Sequence, residues 1–443
     1  MPVNAREAAL KALMKVRRYG IWSDAALDNV LKKENLDVRE AALAARIFYG
    51  VVQNLALCDY YISAFSSVKT KIMEPQVLDI LRLCVYQLVF MSKIPVNAAV
   101  YEGVELAKKY SNPRAAGFVN AILRKMAARL PVHLPAVTGA TPCERLSVQY
   151  SHPAWLVDAF IERLGVEDAE ALLKTNNEEA VMTARVNTLK TDAQTLISAL
   201  QKERADASLH PWLPDCLELR NTRRIECLRT FSEGHFYIQD PAAILAVAAA
   251  GAKPGMFVLD ACSAPGGKSF AAAIDMGGLG RIVSCDISEK KLRRVTAGAR
   301  RLGIEIIETR VMDARVNNTD FVGKADIVLA DVPCSGFGVI RKKPEIRYKP
   351  QHETAGLPEL QLQIISNLSQ YVKPGGILLY STCTLLKREN EDIIESFLDA
   401  RSDFYPESFE LPEPAGKSVL GMTTLWPHIH GTDGFFICRL RRK

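Results

Sequence analysis

From about residue 234 onward, strand-length apolar runs alternate with helix-length segments, and this alternation constrains the fold more than any other feature. The runs are 256–260, 282–286, 304–307, 325–331 and 377–380, with helical patterns over 289–302 and 361–372 between them. Strands separated by helices pair in parallel, because only parallel neighbours need such long crossovers. The expected architecture is a doubly wound α/β sheet over 236–443, with residues 434–438 as a final edge strand. In such sheets ligands bind outside the carboxyl ends of the strands. The residues at those ends therefore carry the functional information.

Asp260 ends the first strand, and the turn Cys262-Ser263-Ala264-Pro265-Gly266-Gly267-Lys268 follows it. The end of this turn looks like a P-loop, but Cys262 stands where glycine is needed and Pro265 lies inside the loop. The dinucleotide pattern Gly-x-Gly-x-x-Gly is also absent. Asp286 ends the second strand, where an acid can accept hydrogen bonds from a ribose diol. Asp313 follows the third strand and Asp331 ends the fourth. Four acids at successive strand ends disfavour phosphates and suit a cationic, adenosine-containing ligand. S-adenosylmethionine has that chemistry. The alternative, that each acid merely caps the following helix, explains one such residue better than four in series.

Two cysteines occupy the next strand ends, Cys334 in Asp331-Val332-Pro333-Cys334 and Cys383 in Ser381-Thr382-Cys383-Thr384. A methyl donor beside a thiol implies a target carbon that is not nucleophilic by itself. Carbon 5 of a pyrimidine is such a carbon: a thiolate adding to carbon 6 activates it. The residues alone do not decide which cysteine attacks. Lys387 and Arg388 lie close to Cys383 in sequence and mildly favour it, since nearby cations lower a thiol pKa. The segment after Cys334 carries Arg341, Lys342, Lys343 and Arg347, framed by Phe337 and Tyr348. It is expected to hold RNA phosphates and stack a base.

The preceding residues read differently. Residues 5–130 form an all-helical pattern, with Asn4, Ser23, Asp37 and Asn97 as N-caps and Pro75 and Pro113 in first turns. Residues 1–130 hold 19 Lys and Arg against 11 Asp and Glu, a net +8 that leaves −2 for the remainder. A basic module on a near-neutral body points to a polyanion. Residues 131–145, with Pro131, Pro135, Gly139 and Pro142, have a linker composition, and 146–235 read as a small α+β piece. The ten cysteines include no Cys-x-x-Cys pair, so no metal site is expected. No apolar run is long enough to span a bilayer and no leader is evident, so a cytoplasmic monomer without membrane contact is expected.

The motifs at 260–268, 286, 313, 331–336, 338–344 and 381–384 resemble, in order and spacing, those of the Sun-type RNA (cytosine-5) methyltransferases. Ser151-His152-Pro153-Ala154-Trp155-Leu156 is similar to the segment before that family's catalytic domain. The basic helical module is similar to the NusB RNA-binding domain. The combination resembles the bacterial 16S rRNA methyltransferases of the RsmB type. The resemblance implies a class I, Rossmann-like methyltransferase domain at 236–443 and a NusB-like domain at 1–130. It implies Cys383 as nucleophile and Cys334 as the residue that assists product release. It also implies S-adenosylmethionine bound by 262–268, Asp286, Asp313 and Asp331, with Asp331 also facing the base, and rRNA as partner.

Competing readings stay open at this stage: a tRNA or other RNA substrate, Cys334 as nucleophile as in DNA cytosine-5 enzymes, or a non-catalytic RNA-binding assembly factor. An amino-group methyltransferase is disfavoured, because Asp331-Val332-Pro333-Cys334 lacks the Pro-Pro-aromatic pattern of those sites.

Overall fold

The computed structural model describes residues 3–130, 134–220, 222 and 224–443; Pro131 of the expected linker lies outside them. The chain divides into two compact units, Met1–Glu178 with Lys343–Lys349, and Glu179–Lys342 with Pro350–Lys443.

The first unit is helical: α1 (Ala5–Tyr19), α2 (Ser23–Glu34), α3 (Val38–Gln53), α4 (Leu55–Phe65), α5 (Pro75–Phe90), α6 (Val96–Tyr110), α7 (Pro113–Arg129), α8 (Pro142–Gln149), α9 (Ala154–Leu164) and α10 (Val166–Thr175). Asn4 and Asp37 cap their helices as expected, by accepting from Glu7 N–H and from Arg39 and Glu40 N–H. Ser23 and Asn97 do not cap. Ser23 is the first residue of its helix, behind Trp22, and Asn97 the second residue of its own, behind Pro95. Helix α5 is central: Ile80, Leu81, Leu83, Cys84 and Val85 are fully buried. Helices α9 and α10, read from the sequence as part of the α+β piece, belong to this unit. Among the described residues no single helix is long and apolar enough to cross a membrane. The bent pair α3–α4 passes by length and composition together, but its apolar face forms part of the buried core.

The segment Lys343–Lys349 is anchored within this unit through Arg347. That side chain is fully buried. Its guanidinium donates to the carbonyls of Gln53 (3.0 Å), Tyr150 (3.3 Å) and Asn176 (3.2 Å) and to Asn177 Oδ1 (2.6 Å). Burial lowers its pKa to about 10. Tyr348 adds a hydrogen bond from its hydroxyl to Val52 O (2.9 Å).

The second unit begins with β1 (Met182–Val186), α11 (Ala193–Lys202), β2 (Asp206–Leu209), β3 (Cys216–Arg220), the short α12 (Arg229–Ser232) and β4 (Phe236–Ile238). These strands form an antiparallel sheet in the order β2-β3-β1-β4. The larger layer follows: α13 (Pro241–Ala250), β5 (Phe257–Asp260), α14 (Gly267–Asp275), β6 (Arg281–Asp286), α15 (Glu289–Leu302), β7 (Ile307–Val311), β8 (Ala325–Asp331), α16 (Leu357–Leu368), β9 (Val372–Thr382), α17 (Glu391–Ala400), β10 (Phe404–Pro406), β11 (Met422–Leu425), α18 (Pro427–His430) and β12 (Phe435–Arg442). Its order is β10-β12-β9-β8-β5-β6-β7, with β11 also on β12. The five strands β5 to β9 are parallel, as the alternation requires. The chain winds from β5 outward to β7 and then returns to β8, so the switch point lies between β5 and β8.

Two expectations change. The third parallel strand lies at Ile307–Val311 rather than 304–307, because Gly303 ends α15 in a left-handed turn and a short connection precedes the strand. The last strand is internal, not an edge: β9 flanks it on one side and β10 and β11 on the other.

Candidate active site

The register of β8 and β9 sets the site. Asp331 pairs with Ser381, so both strands end level. Cys334 follows by three residues and Cys383 by two. Their sulfurs lie 3.2 Å apart, within hydrogen-bonding range. Both thiols are half-buried.

The two thiols differ in proton affinity. Cys334 is pushed well above the ordinary thiol range, first by its hydrogen bond to Cys383, then by burial and by the charges of Cys383, Glu389 and Asp331. Cys383 is held below that range, first by the hydrogen bond from Cys334, with the Lys268 ammonium adding to it against burial and Asp331. On this ordering the pair gives up its first proton from Cys383, with Cys334 as the hydrogen-bond donor. The cation that matters is Lys268, not the sequence neighbours. Lys387 is exposed and paired with Asp392, and Arg388 donates to Thr354 Oγ1 (2.6 Å).

Lys268 reaches the pair from the start of α14. Its Nζ is 2.7 Å from Asp331 Oδ2 and 4.9 Å from the centre of the Phe435 ring. Asp331 also accepts from Ser381 Oγ (2.9 Å). Lys268 is thus held by Asp331, and its charge acts on Cys383.

A network below the thiols fixes the turns that carry them, and the sequence reading missed it. Glu389 is fully buried. Its Oε2 accepts from Ser335 N–H (2.9 Å) and from Gln361 Nε2 (3.0 Å), and Gln361 also donates to Pro333 O (2.9 Å). Asn390 grips the other turn, accepting from Thr382 Oγ1 (2.6 Å) and donating to Thr384 O (3.0 Å). Ser335 Oγ and Thr384 Oγ1 join the two turns at 2.7 Å. In sequence Glu389 follows Lys387 and Arg388 and looks like a solvated charge. Only the apolar Leu385-Leu386 before it hints at burial.

The acids at the strand ends are less alike than the sequence implies. Asp286 Oδ1 accepts from Ser288 N–H (2.8 Å), and its second oxygen bonds to no described residue. Asp313 is held low by Arg315, whose Nη2 lies 2.6 Å from it. Asp260 is fully buried and accepts from Ser269 Oγ (2.6 Å); burial raises its pKa to about 7. The turn after it is tight: Ser263 N–H donates to Cys285 O (2.8 Å) and Gly266 N–H to Ser263 O (2.7 Å). Gly266 has φ +112°, and a Cβ there would lie 2.5 Å from the Phe270 ring. Cys262 is raised by burial and the surrounding acids, which makes it an inert thiol. Ala264, Pro265 and Gly267 complete the turn. The free oxygen of Asp286 beside a phosphate-averse turn fits an adenosine diol.

Of the four basic residues after Cys334, Lys343 alone is exposed. Lys342 contacts Asp240 and lies 2.9 Å from Asp433, and Arg341 donates to Gly431 O (3.0 Å). Arg347 is buried as described, and Phe337 is fully buried. These side chains shape the loop rather than project from it. Among the described residues no group of His, Cys, Asp and Glu gathers as a metal site.

A doubly wound parallel sheet with an acid-ended second strand, a glycine turn and two apposed thiols defines a Rossmann-like methyltransferase. Comparison with known proteins specifies which one. Residues 248–441 match the 16S rRNA methyltransferase RsmB/F family, 3–128 the NusB family, and 152–226 the ferredoxin-like domain of RsmF/B-like methyltransferases. The probable ribosomal RNA small subunit methyltransferase B of Bacillus subtilis is 36% identical over 446 residues, 99% of each chain. The Klebsiella pneumoniae protein of that name is 28% identical, covering 100% of this chain and 99% of its own. The crystal structure of PH0851 covers 100% of both chains with TM-score 0.80 and 28% identity. That of NSun6 from Pyrococcus horikoshii with SFG shares the fold over 66% of this chain and 98% of its own, with TM-score 0.57 and 22% identity. The chain belongs to the ribosomal RNA small subunit methyltransferase B family, and it is an rRNA methyltransferase.

Proposed function

We propose that the protein methylates carbon 5 of a cytosine in 16S rRNA, using S-adenosylmethionine and a transient covalent bond from Cys383 to the base. The observation that carries this reading is the pair of thiols 3.2 Å apart with opposite pKa displacements. Asp286 and the turn 262–268 would hold the cofactor, with Asp313 available once Arg315 is displaced. When bound, S-adenosylmethionine supplies the electrophilic methyl group. Acting on rRNA, the protein would work in the cytoplasm.

Cys383 attacks carbon 6 as the thiolate, so the C6–S bond forms while carbon 5 gains carbanion character. Lys268 and Cys334 stabilise the negative sulfur before attack. Once carbon 5 carries the methyl group, its proton passes to solvent water, the C5–H electrons re-form the C5–C6 double bond, and the C6–S electrons return to sulfur. Cys334 assists here through the same hydrogen bond, which lowers the cost of expelling the Cys383 thiolate. This asymmetry favours Cys383 over Cys334 as the nucleophile. Asp331, pinned by Lys268 and Ser381, faces the base.

The test is nucleoside mass spectrometry of 16S rRNA after incubation with the protein and labelled S-adenosylmethionine. The expected product is 5-methylcytidine. Label in another nucleoside, or in tRNA in preference to 16S rRNA, would overturn the assignment.

A further inference from the structure

The helical unit carries an aromatic and cationic cluster at the turn between α1 and α2. Trp22, just before α2, is 53% exposed and Tyr19, at the end of α1, is 61% exposed. The Arg18 guanidinium sits 5.4 Å from the centre of the Tyr19 ring. Two lysines distant in sequence join the cluster. Lys343 Nζ and Lys349 Nζ lie 5.9 and 5.7 Å from the centre of the Trp22 ring. The buried Arg347 and the half-buried Tyr348 anchor the segment that carries these lysines, and Glu345 accepts from Ser23 N–H (3.1 Å) beside Trp22. Among the described residues Lys343 enters no ion pair.

A second feature adjoins this turn. A depression of about 260 Å³ is lined by Lys11, Lys15, Arg18, Tyr19, Lys33 and Glu34, among others. It has four cations against one acid, and that acid is paired with Lys11 at 3.0 Å. Arg18 and Tyr19 thus belong both to the basic depression and to the aromatic turn. Exposed rings interleaved with ammonium and guanidinium groups match the backbone-and-base chemistry of unpaired nucleic acid: phosphates meet the cations and bases stack on the rings. Duplex RNA keeps its bases stacked inside and has no use for an open indole.

We propose that the α1–α2 turn is a subsite for single-stranded RNA, in which Trp22 stacks an unpaired base while Lys343 and Lys349 contact the flanking phosphates. Arg18 and the basic depression extend the track along the backbone. The site rests on rRNA being the substrate but not on which carbon is methylated. It acts in capture of the RNA, and none of its residues is assigned to chemistry.

The full-length protein is titrated into a short fluorescein-labelled oligouridylate and, separately, a labelled RNA duplex of the same length. Trp22→Leu should weaken oligouridylate binding by roughly 5- to 150-fold, the worth of one base stacked on an aromatic ring. Trp22→Phe should retain most of the affinity, and duplex binding should change little. Replacing Lys343 and Lys349 with Gln should reduce the slope of log affinity against log salt by about 1.4, at about 0.7 per lost contact. With saturating 16S rRNA, kcat should be unchanged and only KM should rise. Wild-type affinity in Trp22→Leu overturns the proposal. So does equal loss in the Phe and Leu variants, or an equal loss for duplex RNA. The nature of the methylated product does not enter these readouts, so failure here leaves the proposed chemistry standing, and the reverse.

Discussion

The turns after β8 and β9 carry the same residue type, end at the same level of the sheet and face each other, yet they hold their protons differently. Cys334 receives the hydrogen bond partner, burial and the charges of Glu389 and Asp331, all pushing its pKa up. Cys383 faces the donor thiol and Lys268, which outweigh burial and bring it down. A strand-end cysteine is therefore not a nucleophile by position. One hydrogen bond and one ammonium group, set by residues from α14 and β8, separate two otherwise equivalent thiols. The same proton that makes Cys383 a better nucleophile makes it a better leaving group, so a single contact serves both halves of the reaction.

The harshest way to test this comparison is to remove each sulfur in turn. Cys383→Ala should abolish methyl transfer, a loss on the order of 10⁴- to 10⁶-fold as for other covalent nucleophiles. It should also leave no RNA adduct resistant to denaturation. Cys334→Ala should lose roughly 10²- to 10⁴-fold in turnover, the range for a group that manages a proton, and should accumulate that adduct. Denaturing gels with labelled 16S rRNA read both outcomes. An adduct in Cys383→Ala with none in Cys334→Ala would reverse the assignment.

A milder test leaves both thiols and loosens what holds them. Glu389→Ala strips the acceptor from Ser335 N–H and from Gln361 in a buried place, at about 1–3 kcal/mol for each donor left unpaired. The melting temperature should fall, and turnover should fall further than substrate binding, since the Cys334 turn loses its fixed distance from Cys383. Glu389→Gln keeps an acceptor oxygen and should recover part of both. If Glu389→Ala melts and turns over like the wild type, the turns are set by the strands alone.

The degree to which the sequence revealed these features follows from how local each one is. The parallel sheet was legible because crossover helices impose a period that neighbouring residues express, and 325–331 and 289–302 coincide with β8 and α15. The strand-end thiols were legible for the same reason. The partners of Lys268 and Arg347 were not. Lys268 lies 63 residues from Asp331, and Arg347 lies 294 from Gln53. A run of basic residues reads as a solvated loop until folding shows that Arg347 satisfies buried carbonyls and Lys342 a pair of acids. Ser23 and Asn97 misled for a smaller reason. Both are cap-forming types placed one or two residues late, where Trp22 and Pro95 already start the helix.

The smallest effect separates the two cations that could tune Cys383. Attack by iodoacetamide needs the thiolate, so its rate climbs with pH and levels off above the pKa of Cys383. Because Lys268 holds that pKa down, Lys268→Met should move the climb to higher pH and slow alkylation at neutral pH, without altering the plateau. Lys387→Met should leave the profile where it is. Its side chain is exposed and already paired with Asp392, and charges at an exposed position are screened by water and salt. Alkylation of Cys383, followed by peptide mass spectrometry across a pH series, distinguishes the two. A shift in Lys387→Met equal to that in Lys268→Met would mean that proximity along the chain, and not the contact across the sheet, sets the reactivity of this thiol.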